Sequence, residues 1–377
     1  MLKGFYLTLM VGPVVAVPVQ QVVLEALSSV TVNVSSGNRA TSGFELNFTL
    51  SSKSPLQTLF LLSGGAVIPF IRVIMIVTVN GLPQVLIDGV VTKQDIKPGA
   101  DSSDSVLTIT GVDLTAVMNL IDFSGLPYPA MPAEAQVALI LAKYAPFGVV
   151  PLIIPSVLID VPFPTDRIPS QKGKDLAYIY ELAENVGYVF YIDPGPVPGM
   201  NLAYWGPEIK VGVPQPALNI NMDAFTNVES LSFNFDAESK STPILFIQNP
   251  QTKAPIPIPI LDITPLNPPL GLIPPLSLNI EYLTGTAKLN LVQAALIGLA
   301  KASQSANAVR VQGSLDVLRY GRALKARQLV GVRGAGMAFD GLYYVESVTH
   351  NIKRGEYKQN FTLSRNGLIS TLPRVPA

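Results

Sequence analysis

The stretch "FDGLYYVESVTHNIKRGEYKQNFTLSRNG", Phe339 to Gly367, carries the clearest structural pattern in the chain. Leu342, Tyr344, Glu346 and Val348 alternate with Tyr343, Val345, Ser347 and Thr349, the period-two pattern of a strand with two unlike faces. Gly355 marks a hairpin turn, and "KQNFTLSR" is the returning strand. The stretch also holds the only histidine, His350, among residues capable of chemistry. A general base needs a positioned partner, and Glu346 alone does not build a site. His350, near a strand end, is therefore expected to be a hydrogen-bonding residue at a surface or interface. The hairpin itself is expected to close a β-domain.

Upstream, the pattern recurs. "SSVTVNVSSG" alternates at Val30, Val32 and Val34, and "GFELNFTLSS" at Phe44, Leu46, Phe48 and Leu50. "IRVIMIVTVNGLPQVLIDGVVTKQDI" places Asn80-Gly81 between two apolar runs, a strong hairpin signal. The first twenty residues pair a lysine with an apolar run, as a signal peptide does. Pro13 and Pro18 interrupt that run and the cleavage pattern is poor, so it reads as a first strand and a loop. Gly64 to Gly81 is apolar but broken by Pro69 and Arg72, too short for a membrane helix, and reads as a buried strand. "PLQTLFLLSGG" fits a short helix between strands.

Beyond Val112 the period lengthens. "DLTAVMNLIDF", "MPAEAQVALILAKYAPFG" and "GKDLAYIYELAENVG" have helical spacing, with Asp113 and Asp175 as caps and Gly187 as a terminal glycine. The strand "YVFYID" follows. Asn249 to Leu278 is so rich in proline that it reads as an extended loop, either a passive linker or a docking arm. "TAKLNLVQAALIGLAKASQSAN" is the clearest helix. The expected fold is mainly β with an α+β insertion. Its parts are a β-region at 1–120, an α+β region at 121–227, and a second β-region at 228–377 with the arm 249–278 and a helix over 286–306. Short strands joined by Gly, Pro, Asn and Asp turns fit small barrels or sandwiches.

Composition narrows the function. Among 377 residues, 26 Lys and Arg balance 26 Asp and Glu, which argues against a nucleic-acid binder and against a polybasic membrane-surface protein. Charged residues make up 14% of the chain, against about 25% in an average soluble protein, so part of the surface is expected to be covered by partners. The absence of cysteine excludes disulfides and thiolate chemistry, and one histidine excludes a multi-histidine metal site within the chain.

Other stretches invite a chemical reading and fail it. Trp205, the only tryptophan, could stack a sugar, but a packed aromatic is the commoner role. Asp88, Asp95, Asp101 and Asp104 lack calcium-loop spacing and are expected at a solvated hairpin end. "GVRGAGMAFDG", Gly331 to Gly341, lacks the Lys-Ser/Thr of a phosphate loop and reads as a loop between strands. Glu181 and Glu184 stand at i, i+3 on a helix with nothing to mark a cleft. No catalytic, cofactor-binding or metal-binding residue is assigned, and no cofactor is expected.

"DGLYYVESVTHNIKRGEYKQNFTLSRNGL" resembles the C-terminal signature of the late control protein D family, the baseplate hubs of contractile phage tails and phage-tail-like contractile injection systems. Gly173 to Asp236 is similar to the same family, as are "SGFELNFTLSSKSPLQTLF" and "VTVNGLPQVLIDGVVT". The resemblance implies two small β-barrel domains of the tail-hub type flanking the α+β region. It implies a homotrimer that joins a six-fold inner tube protein to a separate trimeric spike protein, alongside other baseplate components. Larger relatives of the VgrG type continue into the spike, whereas this sequence ends at Ala377, just after the hub signature. The implied role is structural rather than enzymatic. The chain would be made in the cytoplasm and built into a phage tail or injection particle, with no specific nucleic acid and no stable membrane insertion. A tail-tip cell-wall hydrolase and a secreted β-rich binding module are the alternatives.

Overall fold

The computed structural model describes residues 4–50, 70–98, 105–156, 168–238, 240–248, 252, 255–259, 267–276, 279–283, 291–305 and 307–372. The chain opens with β1 (Phe5–Gly12), β2 (Val17–Pro18), α1 (Gln21–Ala26), β3 (Leu27–Ser35), β4 (Gly43–Leu50), β5 (Arg72–Val79), β6 (Leu82–Lys97) and β7 (Ser105–Asp113). β5 and β6 form a hairpin whose turn residues Asn80 and Gly81 have φ of 50° and 83°. Positive φ at both positions is the geometry that matches strand twist, and Asn-Gly adopts it at least cost. The helix expected within 55–65 lies outside the described residues.

The middle of the chain supplies α2 (Thr115–Met118), α3 (Ala133–Ala142), β8 (Val149–Ile153), α4 (Asp175–Glu184), β9 (Val189–Pro194) and β10 (Asn201–Gly206). β10 lies between β8, to which it is parallel, and β9, to which it is antiparallel. Together they enclose an apolar core around Trp205, Ile179, Phe190 and Ile140. Neither expected cap holds the cap position, which Leu114 takes for α2 and Lys174 for α4. Asp113 accepts from the Thr115 amide at 3.0 Å but also from the Ser42 amide at 2.9 Å, tying α2 to the loop before β4. Asp175 is the first residue of α4 and fully buried. It accepts from Tyr144 Oη at 2.6 Å, Gln171 Nε2 at 2.7 Å and Lys143 Nζ at 2.6 Å.

The remainder comprises β11 (Gln215–Asn219), β12 (Ser230–Phe235), β13 (Ser241–Gln248), β14 (Pro255–Pro259), β15 (Gly271–Ile273), β16 (Asn279–Leu283), α5 (Leu291–Ser305), β17 (Val309–Asp316), α6 (Val317–Tyr320), β18 (Leu329–Arg333), β19 (Gly341–Lys353), β20 (Glu356–Arg365) and β21 (Leu368–Ser370). Of the helix expected over 286–306, residues 286–290 and 306 lie outside the described ones. The described parts of the proline-rich stretch include paired strands rather than the expected loop. β14 pairs with β13, and β15 returns to pair with β21. Pro255, Pro257 and Pro259 recur with period two, so their missing donors all fall on one edge of β14. β14 is an edge strand, and Ile256 and Ile258 keep their N–H groups for the other side.

The fold is mainly β. One thirteen-stranded sheet runs in the order β12-β17-β20-β19-β3-β4-β7-β6-β5-β1-β2, with β18 branching from β19 and β11 from β18. The two ends of the chain thus share a sheet. They meet where β19 pairs with β3 over Ser347–Lys353 and Ser29–Ser35. They also share one core, since Val32, Leu46, Met75, Val311, Val345 and Leu363 belong to a single buried cluster.

The strand alternation expected in the opening stretch needs one correction. The β19–β20 register shifts between Val345 and Ser347, leaving Glu346 as an extra residue. This bulge exchanges the faces of the strand. Tyr343 and Val345 point into the main core before it, and Val348 and Ile352 point there after it, so an unbroken alternation assigns Val345 and Val348 wrongly to opposite faces.

Candidate functional site

His350 is not at a surface. Its side chain is buried mid-sheet, opposite Gln359 on β20 and Val32 on β3. Its Nδ1 lies 2.7 Å from Tyr357 Oη and 3.2 Å from Gln359 Nε2. The Gln359 amide is oriented by the Leu324 backbone, which donates to Oε1 at 2.8 Å and accepts from Nε2 at 3.0 Å. The nitrogen facing His350 is therefore a donor, and Nδ1 must be an unprotonated acceptor. Burial pushes the imidazole down to about 3. This is a satisfied core histidine. Glu346, on the bulge, instead accepts from Asn307 at 3.2 Å.

The other candidates are likewise taken up by structure. Trp205 is fully buried on β10, edge-on to Tyr188 at 4.9 Å. Glu181 accepts from Lys172 at 3.0 Å. Glu184 accepts from Arg39 at 2.7 and 3.0 Å and from Asn38 at 2.8 Å; partial burial raises its pKa, but these partners outweigh it and hold the carboxyl below its usual range. The two glutamates face different cations rather than each other. Asp95 pairs with Lys93 at 2.6 Å, whereas Asp101 and Asp104 lie outside the described residues. Of the glycine-rich stretch expected as a loop, Gly334 to Asp340 form the loop between β18 and β19, while residues 331–333 and Gly341 lie on those strands.

Asp88 departs from expectation. β6 is long enough that Asp88 falls mid-strand, buried, rather than at a solvated hairpin end. Arg72 on β5 answers it with Nε at 2.7 Å and Nη2 at 2.7 Å, and Asn201 Nδ2 adds 2.8 Å. Nη1 donates to the Val14 carbonyl at 2.8 Å, and Nη2 is shared with the Phe147 and Gly199 carbonyls at 2.7 and 3.1 Å. One arginine thus joins the N-terminal strands to two loops of the middle region. Arg327 does the same from the C-terminal strands. It pairs with Asp193 on β9, donates to the Ser35 carbonyl at 2.5 Å, and stacks over Tyr191 at 4.2 Å. Sequence reasoning noted Arg72 only as a break in an apolar run and passed over Arg327. Their partners are remote; Arg72 and Asp88 are both buried, whereas the buried Arg327 side chain meets an Asp193 that stays 35% exposed.

Among the described residues no group of three or more His, Asp or Glu side chains is placed to hold a metal, and no helix is long and apolar enough to cross a membrane. The outward side of the large sheet is of another kind. It is polar, with Arg310, Lys353 and Glu45 among its hydroxyl and amide side chains, and includes an open hollow of about 480 Å³ lined by Ser230, Gln312, Ser347, Asn360 and their neighbours.

Comparison with solved structures gives this architecture a context. The chain is similar to the tail protein from Neisseria meningitidis MC58 at 12% identity, over 97% of this chain and 98% of that one, with a TM-score of 0.62. It is similar to the 43 kDa tail protein of prophage MuSo2 from Shewanella oneidensis at 14% identity, over 96% and 98%, with a TM-score of 0.59. A third neighbour is the E. coli c3393 protein, a type VI secretion component described as structurally similar to the T4 tail proteins gp27 and gp5. The identity there is 11%, over 93% and 76%, with a TM-score of 0.52. No family model and no curated protein matches the sequence. The chain has the fold of these phage tail and type VI secretion proteins.

Proposed function

We propose that this chain is the structural baseplate hub of a contractile phage tail or injection system. In this reading residues 1–120 and 228–377 are two barrel domains of the tail-hub type, and 121–227 is the middle domain pinned between them. Three chains form a ring that presents six such domains to the six-fold inner tube and holds a separate trimeric spike below. Other baseplate components surround it. The chain acts through symmetry matching and binding, not through catalysis. It is made in the cytoplasm and incorporated into the particle.

The observation that carries this reading is the shared sheet. β19 pairs with β3 so that both ends of the chain belong to one continuous surface, and the middle region is anchored beside it by Arg72 and Arg327. A ring joining unlike symmetries needs two comparable units held rigidly within each chain. The full-length likeness to tail proteins agrees with this. The neighbours are structural tail proteins, and every candidate acid or base in the described residues is engaged in packing or pairing, which favours a hub over a hydrolase.

Light scattering tests the reading. The protein is measured alone and after co-expression with the candidate spike protein. A mass of three chains, alone or bound to a spike trimer, is the expected result. A monodisperse monomer under both conditions rejects the hub.

A further inference from the structure

The loop between α6 and β18, Gly321 to Gln328, is pinned by three side-chain amides from remote parts of the chain. Asn80 Nδ2, at the tip of the β5–β6 hairpin, donates to the Gly321 carbonyl at 3.1 Å. Gln359 Oε1 accepts from the Leu324 amide at 2.8 Å, and its Nε2 donates to the Leu324 carbonyl at 3.0 Å. Gln215 does the same for Lys325, accepting at 2.8 Å and donating at 2.9 Å. Each glutamine thus meets both main-chain groups of one residue, as a neighbouring strand would. Ala323 and Leu324 are buried and anchor the loop, whereas Arg322 and Lys325 on either side of them are exposed.

Neither cation is answered. Elsewhere Arg39, Lys172, Lys301 and Lys358 each meet a carboxylate. Arg322 and Lys325 make no ion pair among the described residues, and neither does Arg319 on α6. The nearby acids are committed. Asp193, which feels the charge of Lys325, is paired with Arg327, and Asp316 caps α6 through the Leu318 and Arg319 amides. The β5–β6 hairpin forms the facing wall of a hollow of about 230 Å³. It contributes Leu82, which is 63% exposed, with Pro83 and Gln84, and Gln328 lies among the other lining residues. The side-chain amides of Gln84 and Gln328 have no partner among the described residues. Neither a carboxylate nor an aromatic ring lines the hollow.

Two free cations, two free amides and an apolar edge around one recess match an acidic polypeptide segment. Its carboxylates meet Arg322 and Lys325, its main-chain groups meet the glutamine amides, and an aliphatic side chain covers Leu82 and Pro83. A nucleic acid would meet the same cations but finds no ring here on which to stack a base, and a free phosphate would leave Leu82 uncovered. The loop is ordered before any partner arrives, so binding costs little further ordering of its backbone. We infer that this hollow docks an acidic segment of a partner protein, with Arg322 and Lys325 as the charge contacts and Leu82 as the apolar one.

Fluorescence anisotropy tests this on the full chain, with a labelled peptide that alternates glutamate with leucine as the probe. The peptide is expected to bind at low salt and to weaken as salt rises. Replacing both cations, Arg322→Ala with Lys325→Ala, is expected to weaken it at least about tenfold. Leu82→Ser is expected to weaken it as well. Arg310→Ala, which removes an exposed cation on β17 outside the hollow, is expected to leave binding unchanged. All three positions in the hollow are exposed, and urea melts of the variants are expected to match wild type. Absence of binding, or binding that the double variant leaves intact, overturns the inference. So does an equal loss in Arg310→Ala, which would make the attraction one of diffuse surface charge. Insensitivity to Leu82→Ser would mean a site for simple anions, and tighter binding of labelled oligothymidylate through the same two cations would mean a nucleic-acid site; either removes the protein partner. The site belongs to a single chain, so this titration and the light-scattering test of the hub fail independently.

Discussion

At the scale of single residues, His350 ties stability to pH. Its imidazole titrates near 6.5 when unfolded and is held down to about 3 when buried. Between those values the unfolded chain binds the proton and the native one does not, so stability falls as pH drops from about 6.5 toward 3. At pH 4.5 the loss from this residue approaches about 3 kcal/mol. Buried Asp113, whose pKa is raised first of all by burial, works in the opposite direction, because the native state there holds its proton more readily. His350→Gln keeps a group able to accept from Tyr357 and has no charge to gain. Urea melts at pH 7 and pH 4.5 are expected to show a smaller acid loss for the variant, by roughly 2–3 kcal/mol. An identical loss in both proteins would mean that the histidine is protonated inside the fold. The residue type was visible in the sequence, and "SVTHNIK" sets His350 on the face of Val348 and Ile352, but its place in mid-sheet is made by the partner strands β3 and β20, which are remote in sequence.

At the scale of elements, the alternating strands and the Asn80-Gly81 hairpin were legible because side-chain period and turn chemistry are local properties. The bulge was not, because the extra residue is defined by the partner strand. It yields a contrast between two changes at one site. Glu346→Ala keeps the residue count and loses one partly buried hydrogen bond to Asn307, an expected cost of about 1 kcal/mol or less. Deleting Glu346 removes the extra residue and leaves Tyr343, Val345, Val348 and Ile352 together on one face of an unbroken ladder, with their β20 partners unchanged. That variant is expected to stay folded and to lose roughly 1–3 kcal/mol, from the bonds of Glu346 to Asn307 and to the Ser36 amide; an insoluble deletion would show that the sheet requires the bulge itself. Gly148 is a second local constraint with a remote cause. Its φ is 73°, and a Cβ there would stand 1.9 Å from the Gly199 carbonyl, the oxygen to which Arg72 donates. Gly148→Ala is expected to cost roughly 3 kcal/mol in a urea melt, combining a left-handed backbone with a displaced anchor.

At the scale of the molecule, composition anticipated a protein poor in charge, and the structure places some of its few charges at the joints. The middle region has a core of its own, built around Trp205 and Ile179, distinct from the cluster shared by the two ends of the chain. What fixes it to the N-terminal strands is Arg72, whose guanidinium meets Asp88 and the Val14, Phe147 and Gly199 carbonyls. Such a joint could not be read from sequence, because Arg72 and Asp88 sit inside apolar runs whose pattern announces only buried strands. Arg72→Met leaves Asp88 buried without its cation, and breaking a buried pair from one side costs about 3–5 kcal/mol. The loss falls on the contact between two cores, so calorimetry is expected to split a single transition into two, the earlier one belonging to the middle region. Adding Asp88→Leu removes the stranded charge and is expected to restore part of the stability without restoring the single transition, because the bonds to Phe147 and Gly199 stay broken. One transition at the wild-type temperature in Arg72→Met would show that packing alone joins the two cores.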